Sequence, residues 1–117
     1  MSFRGTTVVF YRNASRLLVG IHVEGHSNYA EAGSDIVCAA VSAITWTICN
    51  GLENVLKLPI TDIEDENDGM MDVQLKPETT QAQLIAAQPL METMLQGLQQ
   101  IHRDYPQNVR IIFKERR

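Results

Sequence analysis

The sequence predicts one α+β domain over residues 1–117, with two helices packed on a mainly antiparallel five-stranded sheet. Three observations predict it. Two pairs of short segments with alternating apolar residues are each joined by a turn signal, two longer segments repeat apolar residues at helical spacing, and one alternating segment closes the chain. The element order is ββαββαβ. A chain of 117 residues can bury about two-thirds of the surface it exposes when unfolded.

The first hairpin is expected from residues 6–12 and 16–24, with its turn at residues 13–15. Apolar and polar or small residues alternate along the second of these strands. A period of two puts alternate side chains on the same face of a strand. Four residues are therefore expected to share one face: Leu17, Val19, Ile21 and Val23.

The first helix is expected over residues 35–50. Ser34 or Asp35 is the natural N-cap, and Gly51 is expected to end the helix or break it before residues 52–57. The apolar side of this helix is expected to consist of six residues: Ile36, Val37, Ala40, Val41, Ile44 and Ile48.

A second hairpin is expected from residues 60–65 and 70–76, because Asp68-Gly69 is a strong signal for a tight turn. Five acidic residues lie in this hairpin: Asp62, Glu64, Asp65, Glu66 and Asp68. Their spacing does not match a calcium-binding loop, which needs alternating ligands and a glutamate at the twelfth position. A solvated hairpin is the simplest interpretation, and attraction of a basic substrate is the alternative.

The second helix is expected to follow Thr80, because Thr80 and Gln83 have the spacing of a capping box. Pro89 lies within its apolar stripe and is expected to kink or split the helix near Gln88. The apolar stripe of this helix consists of Leu84, Ala87, Met91, Met94, Leu95, Leu98, Ile101 and Tyr105.

Residues 109–114 are expected to form the last strand.

Composition and cysteine content narrow the classes of function. The formal net charge of −4 argues against a general nucleic-acid binder, which needs clustered Lys and Arg. The N-terminus lacks the apolar core of a signal peptide, and no apolar run long enough to span a membrane is expected. Cys38 and Cys49 would lie roughly 16 Å apart on one helix, too far for a disulfide. Free thiols are typical of a reducing cytoplasm.

The segment with the clearest chemical meaning is residues 25–42. It contains His26 in a loop, residues 25–33, and Cys38 in the first turns of the next helix. A thiolate is the nucleophilic form of cysteine, and a helix N-terminus or a nearby imidazole favours it. If Asp35 is the N-cap, Cys38 is the third helical residue and lies near unpaired N–H groups that favour its thiolate. If Ser34 is the N-cap, Cys38 lies further into the helix, and His26 must contribute more to the formation of the thiolate. On residue chemistry alone, a buried inert cysteine is the commoner situation.

Five neighbouring residues are candidates for supporting roles. Gly25 and Gly33 would let the loop move as a lid, or are ordinary turn glycines. Tyr29 would stack on an aromatic substrate side chain or anchor the loop. Asp35 would orient the imidazole or cap the helix, and Ser42 would hold a substrate backbone group or allow close packing. Other residues are interpreted as structural: Cys49 as core, His22 and His102 as surface or packing residues, and Trp46 as a core or dimer contact.

Residues 25–42 also resemble the signature of a known family. The run Gly25-His26, Tyr29-Ala30, Gly33 and then residues 35–42 is similar to the signature of the ribosomal-processing cysteine proteases. Length and element order are similar as well, so the resemblance covers nearly the whole chain. Ser27, where that family often has alanine, is a mild departure.

The resemblance implies an endopeptidase with Cys38 as nucleophile and His26 as general base, acting through a thioester and without an obligatory third acid. It implies a cytoplasmic homodimer with no metal or other cofactor and no direct contact with nucleic acid. The implied substrate is large-subunit ribosomal protein number twenty-seven, which carries a short N-terminal extension that is removed after a pair of aromatic residues.

Two other functions stay open on the sequence. One is a non-catalytic dimeric module that binds the ribosome or a ribosomal protein, with Cys38 in a structural role. The other is a cysteine-based acyl or thiol-transfer enzyme with the same two residues.

Overall fold

The computed structural model describes residues 3, 5–25, 32–65 and 69–116, and only the backbone of residues 32–35. Its elements follow the order ββαββαβ, as expected. The strands are β1 (Thr6–Arg12), β2 (Leu18–Glu24), β3 (Ile60–Asp65), β4 (Met70–Leu75) and β5 (Val109–Glu115), and the helices are α1 (Ala32–Asn50) and α2 (Gln81–Asp104). The expected turn residues 66–68 lie outside the described residues.

The five strands form one mixed sheet in the order β3-β4-β2-β1-β5. The pairs β1/β2, β2/β4 and β3/β4 are antiparallel, and only the pair β1/β5 is parallel. The mainly antiparallel sheet is therefore confirmed, with a parallel pair at one edge. The parallel pair arises because α2 returns the chain along the sheet, so that β5 runs in the same direction as β4. Since β4 and β1 are both antiparallel to β2, β5 is also parallel to β1.

The core lies between one face of this sheet and the two helices. The apolar stripe of α2 is confirmed, since five of its residues are buried in that core: Ala87, Met91, Met94, Leu95 and Leu98. Tyr105 is the exception. It is exposed because α2 ends one residue before it.

The alternation expected for β2 is wrong at its start. Tyr11 pairs with Gly20 but Arg12 pairs with Leu18, so Val19 is an additional residue in a β-bulge. Because of the bulge, side chains at the beginning of β2 point to the face of the sheet opposite to the one expected. Leu18 is fully buried and joins the core with Ile21, in the place expected for Leu17.

Helix α1 begins earlier than expected. It starts at Ala32, so Ala32 and Gly33 are helical rather than part of the loop, and neither Ser34 nor Asp35 is the N-cap. The expected apolar side is correct for Val37 and Val41, which are buried, but wrong for Ile36, which is 63% exposed. Successive residues are about 100° apart around a helix, so Ile36 and Val37 cannot both point directly toward the sheet.

Helix α2 is capped as expected. Thr80 Oγ1 accepts a hydrogen bond from the Gln83 N–H at 3.1 Å, and Gln83 Oε1 accepts one from the Thr80 N–H at 2.9 Å. Of the two outcomes expected at Pro89, a split is wrong, because α2 is continuous, and a kink stays a prediction. The Gln88 side chain instead bonds to both backbone groups of Leu18, at 2.8 and 2.9 Å, and so ties α2 to the sheet.

Helix α1 continues into a π-helical turn, Gly51–Val55, closed by the Leu56 N–H on the Gly51 carbonyl at 2.9 Å. The expected end of the α-helix at Gly51 is confirmed, although the helical path continues as a π-helix. By length and composition alone the segment Ile36–Val55 could cross a membrane, with a mean hydropathy of 1.4, so the expectation of no such segment was wrong on that criterion. Core helices of folded domains meet the same criterion, and one side of this segment, including Leu52, belongs to the core.

Candidate active site

Cys38 lies on the side of α1 that faces the start of β1. It is half-buried, and its Sγ lies 3.3 Å from Oγ1 of Thr6. Because α1 begins at Ala32, Cys38 is its seventh residue, not its third. The expected closeness to unpaired N–H groups is therefore wrong, since the helix dipole acts mainly in the first turn and the Cys38 amide belongs to the helical ladder.

Thr6 connects Cys38 to the end of β2. Its hydroxyl donates a hydrogen bond to the Gly25 carbonyl at 3.3 Å, in addition to its contact with Cys38. Gly25 has a φ of +95°, and a Cβ there would lie 2.7 Å from the Gly5 carbonyl oxygen. Only glycine fits this conformation beside β1 without strain. The chain therefore leaves β2 at a fixed point next to the cysteine.

A cavity of about 270 Å³ opens beside the cysteine. Its apolar lining comes from the sheet and from α1, through Val23, Val41 and Met71. Ser42 also lines it, one helical turn after Cys38, which confirms that these two residues share a face of α1. The cavity has room for one or two side chains of a bound peptide rather than a large cofactor.

The opposite rim of this cavity is polar. Trp46 on α1 donates a hydrogen bond from Nε1 to Oε1 of Glu64 on β3, at 2.6 Å. Trp46 is 50% exposed, so the expectation that it is a core residue is wrong. Asp65 and Met70 complete this rim. The cavity thus combines an apolar interior with two carboxylates at its edge.

Cys49 has the opposite environment to Cys38. It is buried in the core, as expected. Burial, with smaller contributions from the negative charges of Asp62, Glu64 and Glu53, raises the pKa of Cys49 to about 12. Its thiolate is therefore strongly disfavoured, and Cys49 is not a nucleophile at neutral pH.

Two of the three histidines are bonded away from the cysteine. His22 lies on the sheet face opposite the helices, with Nδ1 2.7 Å from Asp72 Oδ2 and Nε2 3.1 Å from Glu24 Oε2. His102 places Nδ1 2.7 Å from the Val109 carbonyl. Neither histidine lines the cavity beside Cys38.

Some of the other site residues expected from the sequence lie outside the part of the chain that the structure describes. His26 and Tyr29 lie outside the described residues. Gly33 and Asp35 are among the first four residues of α1, of which only the backbone is described. In the described part of the chain, no three His, Cys, Asp or Glu side chains are grouped in a way that could hold a metal ion.

Sequence reasoning missed Thr6 and Met71, and it considered Glu64 only as part of the acidic hairpin. These three residues belong to strands that are distant from Cys38 along the chain, and no local pattern connects them to it. For Trp46 a signal existed, because residues four and eight positions after Cys38 lie on the same side of a helix.

Comparison with known proteins identifies the family of this chain. Residues 6–110 match the family model described as cysteine protease Prp. The chain is 32% identical over 104 residues to the ribosomal processing cysteine protease Prp of Bacillus subtilis, covering 86% of this chain and 89% of the relative. It is 29% identical over 109 residues to the protein of the same name from Staphylococcus aureus, covering 92% and 98%.

Solved structures give the same result. The fold is similar to the crystal structure of the S. aureus ribosomal processing protease Prp in complex with a substrate peptide, with a TM-score of 0.81, 26% identity and coverage of 93% and 99%. A Streptococcus mutans protein gives a TM-score of 0.84 with 28% identity and 96% coverage of both chains. The sequence resemblance is confirmed by these matches, and the chain belongs to the Prp family of cysteine proteases.

Proposed function

We propose that this cysteine protease removes the short N-terminal extension of large-subunit ribosomal protein number twenty-seven, with Cys38 as nucleophile and His26 as general base. One observation carries the assignment of the two residues. The Cys38 sulfur borders an open cavity and is linked through the Thr6 hydroxyl to the carbonyl of Gly25, the residue directly before His26. His22 and His102 are bonded elsewhere, so His26 is the histidine left for the role of base.

The reaction follows the chemistry of a cysteine–histidine pair. His26 takes the proton of Cys38, and the thiolate attacks the scissile carbonyl carbon to form a tetrahedral oxyanion. The oxyanion collapses to a thioester while His26 gives its proton to the leaving amine. Water, activated by the same imidazole, then hydrolyses the thioester and regenerates the thiol.

The cavity supports an apolar side chain as the group recognised beside the scissile bond. Val23, Val41 and Met71 offer apolar surface, and the Trp46 ring flanks them. This lining suits an extension that ends in aromatic residues, as the family resemblance implies. The carboxylates of Glu64 and Asp65 at the rim suit a basic ribosomal protein. The relatives are named for ribosomal processing, and one was crystallised with a substrate peptide.

The proposal includes a homodimer that acts in the cytoplasm. The exposed side of α1 supports a pair of chains, because it presents the large apolar side chain of Ile36 to solvent. Exposed apolar surface of this kind is often covered by a partner. Sedimentation equilibrium of the purified protein tests this part: a monomer at micromolar concentration would contradict it.

The deciding experiment is mass spectrometry of the ribosomal protein, made with its extension, after incubation with the enzyme. The wild type is expected to remove the extension at one position. Cys38→Ala and His26→Ala are expected to abolish cleavage, a loss of at least about 10³-fold. Two matched variants serve as controls, because Cys49→Ala and His102→Ala change the same residue types at positions away from the cavity.

The outcome also distinguishes the alternatives. Cleavage by Cys38→Ala would contradict the mechanism. Transfer of an acyl group to a small thiol, without release of a free carboxylate, would indicate the transferase. Binding without cleavage by the wild type would indicate the non-catalytic module, which membership in a protease family disfavours.

A further inference from the structure

Thr6 is a buried polar residue with an uncommon set of contacts. Only 3% of it is exposed, and among the described residues it shares the buried polar class with Thr45 alone. The Thr45 hydroxyl donates to the Val41 carbonyl of its own helix at 2.8 Å, which is the ordinary way to satisfy a threonine in a helix. The Thr6 hydroxyl instead touches two other elements, through Cys38 on α1 and the Gly25 carbonyl at the end of β2.

The Thr6 hydroxyl has one hydrogen and two acceptors for it. When Cys38 is a neutral thiol, its S–H donates to Thr6 Oγ1, and the Thr6 O–H donates to the Gly25 carbonyl. When the thiol proton has left to a base, the sulfur can only accept, so the Thr6 O–H turns from the Gly25 carbonyl to the thiolate. No covalent bond of Thr6 changes in this step. A hydrogen bond from a neutral donor to a charged acceptor is stronger than one between neutral groups, which favours the second arrangement once the thiolate exists.

Backbone contacts hold Thr6 and Gly25 beside each other. Thr6 is fixed at the start of β1 by its backbone N–H, which donates to the Asn108 carbonyl at 2.8 Å. Gly25 is fixed by its close approach to the Gly5 carbonyl. Thr6 Oγ1 lies 3.3 Å from the Gly25 carbonyl oxygen, beside the sheet, and 3.3 Å from Cys38 Sγ, on α1.

We propose that Thr6 is a positioning residue that stabilises the Cys38 thiolate by donating a hydrogen bond to it, and that it releases the Gly25 carbonyl when it does so. The inference rests on the proposed function, in which Cys38 is the nucleophile. It adds a role for a residue on β1 and links ionisation of the thiol to the residue before His26. A hydrogen bond to the charged form of a titrating group favours that form, so loss of the hydroxyl disfavours the thiolate.

The test is the rate of alkylation by iodoacetamide as a function of pH, in a Cys49→Ala background and without substrate. Thr6→Val keeps the shape of the side chain and removes the hydroxyl, and Thr6→Ser keeps the hydroxyl. Thr6→Val is expected to react about tenfold more slowly at pH 7 and to shift the midpoint of the profile upward by about one pH unit. Thr6→Ser is expected to stay within about twofold of the wild type.

A matched control separates this effect from general damage to β1. Thr7→Val makes the same substitution one residue later, where the Thr7 hydroxyl accepts from Arg110 on the other face of the sheet. Its alkylation profile is expected to be unchanged. Thermal unfolding is measured for every variant, and Thr6→Ala replaces Thr6→Val in the comparison if the valine variant does not fold.

Cleavage kinetics provide the second measurement. Thr6→Val is expected to lower kcat with little change in KM, and to recover activity as pH rises, because a higher pH restores the thiolate. An unchanged alkylation profile, or a loss of cleavage that is equal at all pH values, would overturn the proposal. Since alkylation needs no substrate, it reports on Thr6 even if Cys38→Ala retains cleavage and the proposed function fails.

Discussion

Trp46 and Glu64 join helix α1 to the edge strand β3 across the mouth of the cavity beside Cys38, through a hydrogen bond of 2.6 Å from the indole Nε1 to a carboxylate oxygen. The bond holds the half-exposed indole beside the cavity, which both residues line. It also holds the acidic edge of the sheet close to the helix that carries the cysteine.

Removing the indole of Trp46 is expected to weaken substrate binding more than removing the negative charge of Glu64. Trp46→Ala should raise KM for an extension peptide about tenfold, because an aromatic wall of the site is lost. Glu64→Gln keeps an acceptor for the indole N–H and should change KM by less than about threefold at low salt. Steady-state kinetics of the two variants check this. Equal effects would mean that charge, rather than the ring, governs binding.

The acidic rim is expected to give cleavage a dependence on ionic strength. If Glu64 and Asp65 attract a basic ribosomal protein, kcat/KM should fall several-fold between low and physiological salt, since surface charges are screened over about 8–10 Å. The double variant Glu64→Gln, Asp65→Asn should lose most of this dependence. The same dependence in wild type and double variant would contradict a role for the rim.

The two cysteines are expected to differ in reactivity and in their effect on stability at high pH. Burial raises the pKa of Cys49 to about 12, so native protein at pH 9 should incorporate iodoacetamide at Cys38 and not at Cys49. An unfolded thiol titrates near pH 8.5, so between about pH 9 and 12 the unfolded state binds fewer protons than the folded state and stability falls as pH rises.

Cys49→Ala removes this contribution. Its free energy of unfolding relative to the wild type should therefore improve by about 1 kcal/mol per pH unit above pH 9. Denaturant unfolding at pH 7, 9 and 10 measures the difference, and peptide mapping locates the alkylated residue. Rapid labelling of native Cys49 at pH 9 would show that its burial is only transient.

Asp62 is expected to destabilise the fold at neutral pH. Partial burial, followed by the charges of Glu64 and Glu53, raises the pKa of this carboxyl. A raised pKa means that the folded state favours the protonated carboxyl, a contribution present at low pH and lost as pH rises through the folded value. Asp62→Asn should therefore raise Tm at pH 7 and have little effect near pH 3. Glu78→Gln, in an exposed turn, is the control. A lower Tm for Asp62→Asn at pH 7 would contradict the prediction.

Gly25 and Gly97 are expected to respond oppositely to alanine. At Gly25 the φ of +95° and the Gly5 carbonyl 2.7 Å from a new Cβ should make Gly25→Ala destabilising by about 1–3 kcal/mol. In α2 a Cβ at Gly97 meets its nearest atom, Ile44 Cδ1, at 3.4 Å. Gly97→Ala should stabilise by about 0.5–1 kcal/mol, because alanine loses less backbone entropy in a helix. Chemical denaturation of both variants measures the contrast.

Local sequence patterns determined most of the elements of this protein. The capping box at Thr80 and Gln83 and the helical stripe from Leu84 predicted α2, because both signals depend on residues within one or two turns of each other. The segment around Cys38 carried enough of the family signature to predict a cysteine protease, which the family match confirms. These features need no knowledge of which strand lies beside which.

Tertiary structure decided what depends on residues that are distant along the chain. The bulge that puts Leu18 in the core arises from pairing with β1, and the parallel position of β5 depends on how α2 crosses the sheet. The contact between Thr6 and Cys38 exists only because α1 packs over the start of β1. Helical and strand periods describe which way a side chain points along its own element, but the neighbour that it meets is fixed by packing between elements.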